Sequence, residues 1–126
     1  MKKAIQTDKA PAAIGPYSQA VEAAGTLYIS GQVPVDPETG KIVAGGIEAQ
    51  TERVLENIGA ILEAAGLGYE HVVKSTVLLE DIGNFARMNE VYKRFYKDNP
   101  PARAAFQVAA LPLGAMIEIE TIAVRN

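Results

Sequence analysis

The sequence predicts an α+β domain: one mixed β-sheet with two helices packed on a single face. Three observations predict it. Apolar residues follow a helical period in two stretches only, one after Ile47 and one from Met88 to Tyr96. Short β-rich runs surround them, at residues 27–32, 72–79, 103–109 and 116–124. Helical crossovers make strands parallel while hairpins make them antiparallel, so a chain using both builds a mixed sheet.

The elements follow in order. Residues 10–19 carry Pro11, Gly15 and Pro16 and form an ordered loop. A short strand at 27–32 ends on Ser30-Gly31. Asp36-Pro37-Glu38-Thr39-Gly40 is a turn, because Pro37 presets φ and Gly40 accepts a positive one. It joins residues 33–35 and 41–43 as a hairpin. In the first helix Val54, Ile58, Ile61, Leu62 and Ala65 make one apolar stripe, and Gly66 stops it. The run 72–79 is a strand. The second helix carries Met88, Val91, Tyr92, Phe95 and Tyr96 on one side, with Asp81 or Asn84 as its cap and Pro100-Pro101 beyond its end. Two strands close the chain. If they form a hairpin turning near Pro112-Leu113, residues 105–107 lie opposite Glu118 and Glu120, with Arg103 near the same mouth.

Helices on one face leave the other face of the sheet uncovered. In the strand at 72–79, Val73, Ser75, Val77 and Leu79 alternate with Val72, Lys74, Thr76 and Leu78, so both faces are substantially apolar. That pattern predicts an oligomer burying the second face.

Composition narrows the function classes. The 126 residues (13.4 kDa) fit one domain, 1–126. The absence of cysteine excludes disulfides, a thiol nucleophile and thiolate metal sites. With one histidine and scattered carboxylates, no metal is expected. Net charge −3 argues against nucleic acid and anionic membranes as partners. Lys2 and Lys3 lead into polar Gln6–Lys9 rather than an apolar signal segment, and the most apolar run, 108–117, falls short of the about 20 residues a membrane span requires. A cytoplasmic protein is expected.

Few residues can carry chemistry. His71 begins a strand with no nucleophile or acid beside it and reads as a structural strand-edge residue. Gly45-Gly46 lacks the spacing and the lysine of a phosphate loop. Glu118 and Glu120 project from one face of the last strand, about 7 Å apart. One reading is a solvent-facing edge; the other is functional, since Ile122 and Val124 continue that face and an apolar border of this kind can raise a carboxylate's pKa and make it a usable base. Arg103 is the one charge between the double proline and Glu118, suited to bidentate capture of a carboxylate or to an ordinary salt bridge.

Five segments then recur in a known order: Ala13-Ile14-Gly15-Pro16-Tyr17-Ser18-Gln19-Ala20, Ile29-Ser30-Gly31-Gln32, Asp36-Pro37-Glu38-Thr39-Gly40, Pro101-Ala102-Arg103, and Ile117-Glu118-Ile119-Glu120 with Ile122-Ala123-Val124. Together they resemble the Rid (YjgF) family, specifically its RidA type, over essentially the whole chain. The resemblance implies a chorismate-mutase-like fold and a homotrimer with sites between subunits. It implies hydrolytic deamination of 2-aminoacrylate, 2-iminopropanoate and 2-iminobutanoate to 2-keto acids and ammonia, without a cofactor. By the same resemblance Arg103 clamps the substrate carboxylate and Glu118, rather than Glu120, orients the water. Tyr17, Ser30, Gly31, Phe85 and Asn89 line the pocket. Ala105 stands where many members have cysteine, which affects pocket polarity more than the backbone carbonyl that helps hold the water. The competing reading is a non-catalytic trimer that binds a keto acid or amino acid. Endoribonuclease activity, a label attached to some relatives, fits poorly with net charge −3, no basic cluster and one histidine.

Overall fold

In the computed structural model, which describes residues 1–126, helices α1 (Ile47–Ala64) and α2 (Phe85–Phe95) form on the two stretches of helical period. The whole anticipated α1 stripe is buried. Gly66, at φ 75°, ends α1 with a Schellman closure: its amide donates to the Glu63 carbonyl and that of Leu67 to Leu62. Asp81 accepts from the Gly83 amide at 2.8 Å and so caps the short 3-10 turn Ile82–Asn84 that leads into α2.

Six strands form the main sheet: β1 (Lys3–Ile5), β2 (Ala20–Ala23), β3 (Thr26–Gln32), β6 (Val72–Leu79), β7 (Ala102–Gln107) and β8 (Ile117–Val124). Their order across the sheet is β1-β2-β3-β8-β6-β7. β4 (Val35–Asp36) and β5 (Lys41–Ile42) make a separate hairpin around the anticipated turn, where Gly40 sits at φ 73°. Only β6 and β7 pair in parallel, as the intervening α2 requires. No helix is long and apolar enough to cross a membrane.

Two sequence expectations need correction, and two strands join the sheet that no expectation covered. β1 and β2 went unanticipated: they have only three and four residues, too few to show an alternation. The last two strands are not a hairpin, because β6 lies between β7 and β8. The α2 crossover docks β7 on the outer side of β6, while β8 fills the gap between β6 and β3. Val72 also belongs to the helix-facing side, because a bulge between Val72 and Lys74 turns Val73 outward.

The core sits between the helices and one sheet face. Leu27, Val77, Leu79, Ile117 and Ile119 meet Val54, Leu55, Ile58, Ile61 and Leu62 of α1 and Met88 of α2. Each such side chain contributes about 1.5–3 kcal/mol of burial. Along β8 the alternation is strict: Ile117, Ile119, Thr121 and Ala123 face the helices, and Glu118, Glu120, Ile122 and Val124 face away. That outward face, which no helix covers, also carries half-exposed Tyr28 and Phe106, in register with Ile122 and Leu78.

Candidate active site

The eight residues singled out by the sequence fall into two clusters on opposite faces of the sheet. The first gathers Tyr17, Ser30, Gly31 and Glu118 at a cleft of about 810 Å³ on the outward face, with Leu113 and Glu120 on its walls. Its scaffold is the loop before β2. Buried Gln19 accepts from the Thr7 amide at 2.8 Å and donates to the carbonyls of Thr7, Ala10 and Pro11 at 3.0, 3.3 and 2.8 Å. The Ser30 hydroxyl donates to the Ser18 carbonyl at 2.6 Å, tying β3 to the residue after Tyr17. Tyr17 stays 53% exposed, its ring turned to the cleft.

Gly31 is required here by close approach rather than by its φ. Between Ile29 and Gln32 the β3–β8 register shifts, so Ser30-Gly31 forms an irregularity opposite Glu120. The Glu118 side chain lies directly over Gly31, and a Cβ there would stand 2.9 Å from Glu118 Cδ and overlap the carboxylate itself. Burial, with a smaller contribution from the neighbouring Glu120 charge, raises the Glu118 pKa above the ordinary carboxylate value. A carboxylate held this way is a stronger base than a solvated one and can carry a proton through a reaction step.

The second cluster lies at the β7 edge, on the helix side. Arg103 pairs in register with Ser75, which faces the helices. Its guanidinium carbon sits 4.8 Å from the Tyr92 ring centroid and 5.3 Å from that of Phe85. Nη1 donates to Asn89 Oδ1 at 2.7 Å. Phe85, Asn89 and Tyr92 stand at i, i+4 and i+7, one stripe of α2. Ala105 follows on the same face of β7, partly buried against the core.

One chain therefore brings Tyr17, Ser30, Gly31 and Glu118 together and Arg103, Phe85, Asn89 and Ala105 together, but not the two sets. The shared mouth expected for Arg103 and Glu118 is absent from a single chain, because β6 separates their strands and alternation points them to opposite faces. Sequence reasoning placed Tyr92 in the core only, although its spacing from Phe85 and Asn89 marks it as part of the arginine's seat. Leu113, at φ 60° on the cleft wall, carried no signal beyond the flanking Pro112 and Gly114. His71 accepts from the Gly68 amide at 3.0 Å through Nδ1, a structural contact.

Comparison with known proteins bears directly on this arrangement. A family profile described as Endoribonuclease L-PSP matches residues 7–125. A 2-iminobutanoate/2-iminopropanoate deaminase from Mus musculus is 54% identical over 126 residues, covering 100% of this chain and 93% of the mouse protein. The chain belongs to the Rid family. Among solved structures, RidA from the Antarctic bacterium Psychrobacter is 54% identical with a TM-score of 0.93, over 97% of this Rid chain and 98% of that one. E. coli TdcF, solved with bound serine, is 46% identical with a TM-score of 0.94, over 98% and 99% of the two chains.

Proposed function

We infer that this Rid protein is a 2-imino acid deaminase that hydrolyses 2-iminopropanoate and 2-iminobutanoate, and the enamines that tautomerise to them, to 2-keto acids and ammonia. The observation that carries the mechanism is the Glu118 carboxylate, seated over Gly31 in a cleft and raised in pKa. The imine carbon is already electrophilic, so hydrolysis requires a fixed substrate, an oriented water and a proton carrier. Arg103 binds the substrate carboxylate through two parallel hydrogen bonds. With the imine protonated on nitrogen, Glu118 takes a proton from water as its oxygen adds to the C=N carbon, giving a neutral carbinolamine. It returns that proton to nitrogen. As the C–N bond breaks Glu118 takes the hydroxyl proton, so that the carbonyl forms, ammonia leaves and the proton then passes from Glu118 to ammonia. Tyr17 and Ser30 shape the cleft around a small side chain, with the Gly31 amide beside the carboxylate, and the Ala105 carbonyl lies along the strand that carries Arg103.

The protein works as one domain, residues 1–126, assembled into a homotrimer, and each site is shared between copies. The two clusters support this, since Arg103 of one copy and Glu118 of the next complete what neither chain holds alone. The uncovered face with Tyr28, Leu78, Phe106 and Ile122 supplies a surface to bury. The serine seated in TdcF has a carboxylate beside an amine-bearing carbon, the same pair of groups that an imino acid presents. Its substrates come from pyridoxal phosphate-dependent serine and threonine dehydratases, and we place the protein in the cytoplasm beside them.

The test couples threonine dehydratase to the protein and follows 2-ketobutyrate while semicarbazide competes for the imine. Wild type accelerates keto-acid release; Arg103→Ala and Glu118→Gln do not. A folded wild-type trimer without acceleration would leave a ligand-binding module. The family description names an endoribonuclease, but Glu118 and Glu120 in the cleft and a net charge of −3 repel a phosphate backbone. Intact RNA after incubation with the trimer fraction is the expected control result.

A further inference from the structure

Four hydroxyls on the helix side of the sheet, those of Ser75, Thr121, Tyr92 and Tyr96, are buried without a hydrogen-bond partner of ordinary geometry. All four residues are more than nine-tenths buried. Ser75 and Thr121 are directly cross-strand neighbours, and Ser75 lies close enough to both phenols to counter part of their burial. Each residue has an apolar counterpart of similar shape (Ala, Val and Phe), so packing alone does not call for hydroxyls here. Buried polar groups that packing does not need are found where a neighbouring group must be held in one place. The neighbour is Arg103. It is in register with Ser75, and Tyr92 offers it the nearer of its two ring faces. Tyr96 packs against the Tyr92 ring in a tilted contact, with ring centroids 4.8 Å apart.

We propose that Tyr92 is a positioning residue: its ring, packed against Tyr96 and seated beside the buried Ser75 hydroxyl, fixes the plane in which Arg103 presents its guanidinium to the substrate carboxylate. This rests on the carboxylate-clamp reading of Arg103. The geometry separates the tasks of three α2 residues. Asn89 accepts from one guanidinium nitrogen, Phe85 and Tyr92 hold the plane, and the remaining donors stay free for a planar anion. Tyr92 alone among them also reaches into the buried cluster, so it ties the exposed arginine to the core.

The test uses 2-ketobutyrate, the stable product, as the probe of the clamp, with affinity measured by calorimetry on trimers checked by light scattering and thermal unfolding. Tyr92→Leu weakens 2-ketobutyrate about tenfold and raises KM in the dehydratase-coupled assay by a similar factor, while kcat changes less than about threefold. Tyr92→Phe, which keeps the ring, loses only about two- to threefold. In an Arg103→Ala background, Tyr92→Leu has no further effect. Full affinity in folded Tyr92→Leu while Arg103→Ala binds measurably more weakly overturns this proposal and leaves the clamp standing. Full affinity in Arg103→Ala overturns the clamp itself. Equal losses from Tyr92→Leu with and without Arg103 reduce Tyr92 to a general structural part and likewise refute the proposal. If Tyr92→Leu unfolds, Ser75→Ala carries the test: it must weaken binding only when Arg103 is present, and the same effect in both backgrounds counts against the proposal.

Discussion

Mixing two inactive variants should restore activity. Arg103 lies on the helix side of β7, in register with Ser75, and through Ser75 with Thr121 of β8. Glu118 lies three residues along β8 from Thr121, on the other face. Two strand spacings across and three residues along put the two backbone positions about 14 Å apart within one chain, with side chains diverging. A four-carbon imino acid spans far less, so one chain cannot hold a substrate on both groups. Arg103→Ala and Glu118→Gln trimers are therefore both inactive, each lacking half of every site. After dissociation and reassembly as a 1:1 mixture, a site is intact when its arginine comes from a Glu118→Gln copy and its glutamate from an Arg103→Ala copy. Random assembly of a closed ring gives that pairing at about one site in four.

The assay is the semicarbazide competition, run on mixtures whose hybrid composition is verified by native mass spectrometry. About a quarter of wild-type activity is the expected plateau. The mixture without reassembly gives none. Verified hybrids with no recovery would refute the shared site, since a site contained in one chain cannot be rebuilt from two damaged ones.

Further outcomes are open to measurement. Gly31→Ala introduces a Cβ where the Glu118 carboxylate lies and costs about 1–3 kcal/mol of strain unless that side chain swings away. Activity falls about 100-fold while the trimer persists, and unchanged turnover would show that Glu118 does not work from that seat. Glu120→Gln removes a charge that helps raise the Glu118 pKa, so the acid limb of the pH–rate profile moves to lower pH; an unmoved limb would assign it to another group. Because folding raises the Glu118 pKa, the native state binds the extra proton, and stability falls as pH climbs from the unfolded carboxylate pKa through the folded value. Glu118→Gln abolishes that loss, so its advantage in Tm over wild type appears above this window and is absent below it. Ile122→Lys on the outward face converts the trimer to folded 13.4 kDa monomers by light scattering.

The sequence made the core legible because its periods are clean. The α1 stripe and the alternation in 117–124 each specify one buried face, and Gly66 and Gly40 marked the places where a positive φ was needed. The carboxylate site was legible in part: alternation put Glu118 and Glu120 on the apolar border where the fold places them. What was hidden depended on strand order. Nothing between Phe106 and Ile117 says whether the last strand pairs with its predecessor or inserts elsewhere, and that choice sets the distance from Arg103 to Glu118. β1 and β2 were hidden for a related reason, since strands this short owe their pairing to the neighbouring β3 rather than to their own pattern. Tyr92 was rightly read as a core residue, but its second use stayed hidden because one side chain serves both, its hydroxyl in the core and its ring face under the arginine.

A sheet with one face built for packing and the other left open also explains how so sparse a site can work. Imines hydrolyse readily on their own, so catalysis has to supply only a few kcal/mol. An arginine on a helix-backed edge and one partly buried glutamate are sufficient for that, provided that neither is costly to hold. Arg103 meets this condition by staying in solvent and resting on aromatic faces. Glu118 meets it by taking a place on the open face of the sheet, partly buried over Gly31. Because Arg103 and Glu118 of one chain lie on opposite faces of the sheet with β6 between their strands, they cannot pair with each other, and the guanidinium stays free for a carboxylate and the glutamate free for water.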